Sequence, residues 1–360
     1  MWLNWLAYNY RPWDGYGRFS ARMVQALRRA GVAVTSHFAG AADAPEWLLK
    51  EWGVDWSIPT ISCLPPYYLR KLPAGAGPHW LLTMTEGSEC PGGWAEIINR
   101  SGVERVIVPC QHNAEAFVGG GVRVPANVVQ GGTEPNEYPL REAKRDPDQP
   151  YTFLALADRG MRKGWDEARM AMYLAFGGKT TGDMDVRLIV KSRRDGNALI
   201  NDFLAKAADP DPRIVYERSD VADMREMYEQ VDCFVIPSRC EGWGMPHREA
   251  AMMGLPVITQ RYSGMDDGHT EKWAIVVEGG QLRKVDADDG GHLKGQWRVC
   301  DMQELAAKMR WCYENRDGAT AFGQRAAQWL RDNQTWDHSA RALLALLQET
   351  GVFEQERVFA

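Results

Sequence analysis

The feature that most constrains the fold is an alternation of short apolar runs with amphipathic segments that runs through the first 140 residues, stops, and then starts again. Such alternation is the pattern of a parallel sheet covered by helices, because both faces of each strand are then buried. In the first half the apolar runs 3–8, 32–38, 58–64, 80–85, 105–109 and 126–130 read as strands, with helices expected at 19–29, 94–100 and 113–118. The interruption is LREAKRDPDQP, residues 140–150, which is charged, carries two prolines and has almost no apolar content, so it reads as a linker. Beyond it, strands are expected at 151–157, 186–190, 213–216, 233–237, 256–259 and 274–277, and helices at 165–174, 221–230, 246–253, 302–314, 319–332 and 338–348. The implied domains are 1–140, a linker at 141–150, 151–335, and a C-terminal helix and tail over 336–360 that returns to the first domain. Ligands of such sheets lie beyond the carboxyl ends of the strands, so a central cleft between two doubly wound domains is the expected site.

Composition removes several function classes. The 360 residues are 45% hydrophobic and 25% charged, as in ordinary globular chains. No apolar run approaches the roughly 18 residues of a spanning helix, and the first thirty residues, interrupted by Asp14 and five arginines from Arg11 to Arg29, do not form a secretory leader. A cytoplasmic location is therefore expected. The seven cysteines, Cys63, Cys90, Cys110, Cys233, Cys240, Cys300 and Cys312, include no CxxC pair, which fits neither a zinc knuckle nor a disulfide framework. With a net charge of −6, bulk attraction to nucleic acid or anionic lipid is disfavoured.

The segment from Cys233 to Thr259, CFVIPSRCEGWGMPHREAAMMGLPVIT, carries the chemistry. An apolar strand ends at Pro237. Gly242 and Gly244 then flank Trp243 in a loop that tolerates positive φ, Pro246 suits the first turn of a helix, and Gly254 supplies its stop. A strand, glycine loop and helix start of this kind present amides and the positive end of a helix dipole to an anion. Glu241 and Glu249 stand eight residues apart in it. A carboxylate at Glu249 suits the vicinal diol of a ribose, and one at Glu241 suits a developing oxocarbenium ion. The plainer reading is a solvated loop residue at Glu241 and a helix-favouring charge at Glu249.

EGWGMPHREAAMMGLPVIT resembles the E-x7-E segment of the retaining glycosyltransferases of family 4, and other segments follow in the same order. Asp14-Gly15-Tyr16-Gly17 is similar to their N-terminal glycine loop that touches the donor. Residues 105–110, RVIVPC, and 128–134, VVQGGTE, resemble the later strands of their first domain, with Cys110 where serine is usual. Arg159-Gly160-Met161-Arg162-Lys163-Gly164 is similar to the loop that brings basic groups to the donor diphosphate, followed by Lys191 at a strand end. The resemblance implies the GT-B fold, two Rossmann-like α/β domains. It also implies transfer of a hexose from a nucleoside diphosphate sugar to an acceptor hydroxyl with retention, with no metal and no cofactor. It assigns catalytic roles to Glu241, Lys163 and Arg159, with Arg162 competing for the place of Arg159. Donor contacts fall to Gly15, Tyr16, Gly17, Arg162, Lys191, Gly244, Met245 and Glu249. Where many relatives carry an acceptor-side histidine this chain has Thr85 and Glu86, while His112 and His247 are further titratable candidates.

The expected partners are a nucleotide-sugar donor and a glycan or other soluble hydroxyl acceptor. A minor variant of this reading places the hydroxyl on a hydroxymethylated base in DNA, served by Arg11, Trp13, Arg18 and the aromatic and basic run at 65–71; that run is more simply a loop packed by its own tyrosines. Two other classes compete. A catalytically inactive GT-B protein that only binds nucleotide sugar predicts loss of Glu241, Glu249 or the basic pair, yet all are present. An NAD-dependent oxidoreductase requires GxGxxG, and Ser20 stands where the third glycine belongs.

Overall fold

The structure, a computed structural model, describes residues 1–38, 55–71, 77–141, 149–157, 161–178, 185–192, 211–221, 223–285 and 293–353. The chain divides into two compact units, Met1–Glu134 with Asn333–Ala360, and Pro135–Asp332. Both are α/β, each with a six-stranded sheet in which every pairing is parallel.

In the first unit the strands are β1 (Trp2–Ala7), β2 (Ala33–Phe38), β3 (Thr60–Cys63), β4 (His79–Leu82), β5 (Arg105–Val108) and β6 (Ala126–Val128). They lie in the order β2-β1-β3-β4-β5-β6, so the direction of winding reverses between β1 and β3. The four residues of β3 and of β4 are all buried, as expected of strands covered on both faces. The helices are α1 (Gly15–Arg29), α2 (Trp94–Arg100), α3 (Gln111–Gly119) and the C-terminal α10 (Trp336–Glu349). α1 starts at Gly15, earlier than the expected 19, because the Asp14 carboxylate caps it by accepting from Gly17 N at 2.9 Å. Helix α10 packs on α1: the Phe19 and Trp336 rings meet edge to face at 4.8 Å, and Arg29 pairs with Glu134 at 3.1 Å and Asp337 at 2.7 Å.

The second unit holds β7 (Tyr151–Leu156), β8 (Val186–Lys191), β9 (Ile214–Glu217), β10 (Cys233–Val235), β11 (Val257–Gln260) and β12 (Ile275–Val277), in the order β12-β11-β10-β7-β8-β9. Counted from β7 this is the Rossmann order, with its switch point between β7 and β10. Successive strand residues alternate between two cores. Phe153, Ala155, Cys233 and Val235 face α4 (Trp165–Phe176) and α8 (Met302–Glu314). Leu154, Phe234 and Ile236 face α5 (Met224–Glu229), α6 (Met245–Met252) and α9 (Arg316–Asn333). A one-turn helix α7 (Thr270–Trp273) precedes β12, and an antiparallel hairpin of β13 (Gly280–Lys284) and β14 (Gln296–Cys300) follows it, where no strand was expected.

The division between units falls after Glu134 rather than after residue 140. Tyr138 buries its ring in the second core, Arg331 donates to its carbonyl at 3.0 Å, and Arg141 N donates to Met253 O at 3.0 Å. Residues 142–148, most of the expected linker, lie outside the described residues.

Candidate active site

At the switch point of the second unit the loops leaving β7 and β10 meet. Gly164 makes this contact, since it has φ of 70° and a Cβ there would stand 2.4 Å from Pro237 O. Only glycine satisfies both demands. The contact brings the residues just before Gly164 against those just after Pro237. Lys163 Nζ donates to Glu241 Oε1 at 2.7 Å, and Arg162 Nη1 stands 2.8 Å from Glu241 Oε2 and 2.9 Å from the Cys240 carbonyl. The three side chains are only 4–10% exposed. Burial opposes ionisation of Glu241, but the Arg162 and Lys163 charges prevail and hold its carboxyl well below the usual carboxylate range. The site is thus an ionised carboxylate between two fixed cations.

A second ion cluster holds the loop from below. Arg239 N donates to Arg162 O at 2.7 Å, while its guanidinium binds Glu167 at 2.8 Å and Asp166 at 2.6 Å in the first turn of α4 and lies 5.0 Å from the Trp297 ring. Burial and the neighbouring Asp166 raise the Glu167 carboxyl to about 8, against the pull of Arg239.

Helix α6 begins directly after the glycine loop, with Gly244 at φ 79° before it, Pro246 in its first turn and Gly254 at φ 82° after it. Met245 and Pro246 are half-buried at its start, and Glu249 is buried one turn further on. His247 is fully buried beside them, and burial lowers its pKa to about 3, so it is a neutral imidazole near pH 7.

Lys191 ends β8 on the other side of β7 and donates to the carbonyls of Ser192 and Ser219. Arg159, the other basic residue expected at the diphosphate, lies outside the described residues.

In the first unit, Gly15, Tyr16 and Gly17 form the first turn of α1 rather than an open loop. Gly17 is required because a Cβ would come within 2.4–2.7 Å of Asn9 Oδ1 and the Arg11 backbone. The half-buried Tyr16 has its hydroxyl 3.0 Å from Thr83 Oγ1 and donates it to Met84 O at 3.2 Å. Desolvation raises its phenol well above the ordinary value. Thr85 is buried and its amide donates to Asn113 Oδ1 at 2.6 Å, whereas Glu86 is half-buried beyond the end of β4. His112 Nε2 lies 3.2 Å from Gly87 O. Among the described residues, no group of three or more His, Cys, Asp or Glu is arranged to hold a metal ion, and no helix is long and apolar enough to cross a membrane.

Residues 111–343 match the pattern of the family described as "Family 4 Glycosyltransferase in conflict systems". The chain belongs to that family. Structures similar to it include a sucrose-phosphate synthase from Thermosynechococcus elongatus, at 14% identity and a TM-score of 0.68 over 98% of this chain and 99% of that one. A glycosyltransferase from Rickettsia africae, at 13% identity, superposes with a TM-score of 0.64 over 99% of each chain. HepE of Anabaena, solved with UDP and glucose, gives 14% identity and 0.61 over 97% of this chain and 100% of its own. These likenesses establish the GT-B fold. A 72-residue stretch is 28% identical to an uncharacterized glycosyltransferase of Sulfolobus islandicus rod-shaped virus 1, covering 20% of this chain and 21% of that relative.

Sequence reasoning missed Arg239, Ser263, Arg248 and Asp267. An arginine inside the short, largely buried MPHREAAM helix was a visible signal for Arg248. Nothing local marks its partner, because Asp267 is an ordinary acidic residue in a turn.

Proposed function

We propose that this family 4 chain is a retaining hexosyltransferase that moves a sugar from a nucleoside diphosphate donor to an acceptor hydroxyl. The observation that carries the reading is the Glu241 carboxylate held between Arg162 and Lys163 beside the start of α6. In this reading Arg162, Lys163 and the α6 amides neutralise the diphosphate as the bond from the anomeric carbon to its phosphate oxygen breaks. Glu241 supports the positive charge that develops on the sugar. The acceptor oxygen bonds to the anomeric carbon on the same face, and its proton passes to the departing phosphate oxygen. Glu249 receives the ribose diol, Lys191 and Arg159 add positive charge near the nucleotide, and Thr85 and Glu86 serve the acceptor. Because the cations are side chains, transfer should persist in EDTA.

The test is thermal unfolding in EDTA with UDP, GDP, ADP and TDP and their common sugars. A ligand present at about 100 times its dissociation constant adds roughly 2.7 kcal/mol. A selective shift with one base, reduced in Glu249→Ala, supports the reading and names the donor for an acceptor screen that includes glycans and hydroxymethylated DNA. No shift with any nucleotide counts against it.

A further inference from the structure

The fully buried Arg248 has no role in the transfer just described, yet it is held on every side. Its guanidinium lies 3.7 Å from the Trp243 ring centre and 4.5 Å from that of Trp273. Nη1 donates to Trp243 O, and Nη2 donates to Gly264 O at 3.1 Å and to Asp267 Oδ2 at 2.7 Å. Asp267 is itself fixed by Trp273 Nε1 at 3.1 Å and His269 N at 2.9 Å. Both side chains of the pair are 0% exposed.

The two carbonyls that Arg248 holds belong to the two segments that adjoin Glu241. Trp243 belongs to the glycine loop. Gly264 belongs to the turn that grips Glu241 from behind, where Gly264 N donates to Glu241 O at 3.0 Å and Ser263 Oγ accepts from Glu241 N at 2.8 Å. That turn is strained and close: Ser263 has φ of 53°, and a Cβ on Gly264 would lie 2.6 Å from Trp243 N. An apolar side chain fills such a volume as stably as a buried ion pair does. What a guanidinium adds is a planar fork, set by two indoles, that fixes two backbone carbonyls at once.

We propose that Arg248 and Asp267 are positioning residues: they clamp the Ser263–Asp267 turn onto the glycine loop and so hold the Glu241 carboxylate between Arg162 and Lys163. This deepens the transferase reading and rests on it for its kinetic test, but the geometry is also testable without turnover.

Three variants are compared: Arg248→Lys, Asp267→Asn, and the paired replacement Arg248→Met with Asp267→Leu, which exchanges the ion pair for apolar filler. Leu305→Ala, in the core on the other face of the sheet, serves as a control for lost stability. The ligand-free readout is acetylation of Lys163 by acetic anhydride, followed by peptide mass spectrometry on protein with an intact thermal transition. Acetylation of Lys163 should rise severalfold in the three variants and not in Leu305→Ala; protection equal to wild type in every variant overturns the proposal. If the paired replacement fails to fold, Arg248→Lys and Asp267→Asn decide it.

The kinetic readout uses UDP-glucose, then the GDP, ADP and TDP sugars. Misplacing a catalytic group by about 1 Å can cost about 10²-fold, so kcat should fall on that scale while KM for the donor changes little. The loss should disappear in a Glu241→Gln background, where there is no carboxylate left to position. An equal loss in both backgrounds assigns Arg248 a purely structural role and overturns the proposal. A wild-type chain that turns over none of these donors counts against the transferase reading, while Lys163 acetylation still decides the clamp.

Discussion

Replacing Glu241 by glutamine should lower the stability of the second unit and at the same time tighten its hold on a phosphate anion. The side chain contacts Arg162 at 2.8 Å and Lys163 at 2.7 Å, and all three groups are at most 10% exposed, so solvent screening is slight. Removing one member of a buried ion pair costs about 3–5 kcal/mol, mostly because a charge is left buried without its partner. Arg162 retains the Cys240 carbonyl at 2.9 Å, which favours the lower end, about 3 kcal/mol. For a unit of this size that corresponds to a fall in Tm of roughly 6–12 °C. The same change frees two cations for an anion. Millimolar pyrophosphate should therefore raise the Tm of Glu241→Gln by more than that of wild type, and raise that of Lys163→Met by less. Because the folded-state pKa of Glu241 is depressed, the pair contributes fully above the unfolded value of 4.5, and its contribution is lost as pH falls toward the folded value. The deficit of the glutamine variant should shrink accordingly at acid pH. Equal responses of the three proteins to pyrophosphate, or a weaker response in Glu241→Gln, would refute the view that Arg162 and Lys163 form an anion site.

Two further outcomes are expected. Glu167 is raised to about 8 from 4.5, so the folded state binds the extra proton and stability declines as pH rises between those values. Glu167→Gln should therefore gain in Tm relative to wild type as pH increases from about 5 to 8, as checked by thermal unfolding across that range, and a difference independent of pH would count against the raised value. In α9, a Cβ at Gly323 would lie 2.2 Å from Gly254 O, so Gly323→Ala should lose about 1–3 kcal/mol despite its better helix propensity. An unchanged or higher Tm would show that α9 does not need this close approach.

Much of the fold was legible because its signals are local. The strands of the two six-stranded sheets fall within the expected apolar runs or within a residue of them, the β13–β14 hairpin being the exception, and the helices at 94–100 and 302–314 have the expected limits. Asp14 was the obscure case: as a cap it makes Gly15 and Gly17 the first turn of a helix, whereas two glycines in sequence read as a loop. Of the basic loop, Arg159, Arg162 and Lys163 were all legible as candidate cations, but that Arg162 and Lys163 meet Glu241 depended on the loop's path.

The sequence by itself determined the class of this protein: two runs of strand and helix, and a glycine-flanked helix start after the fourth strand of the second run. These follow from periodicity and from backbone demands satisfied within a few residues. Only the tertiary structure decided the strand orders, the attachment of Tyr138 to the second core, the meeting of Lys163 with Glu241 across 78 positions and of Arg162 with the same carboxylate, and the burial of Arg248 against Asp267. Their common cause is that pairing, burial and charge compensation act through space. A parallel sheet joins strands that are distant in sequence, and a buried charge takes as its partner whichever residue the fold sets beside it.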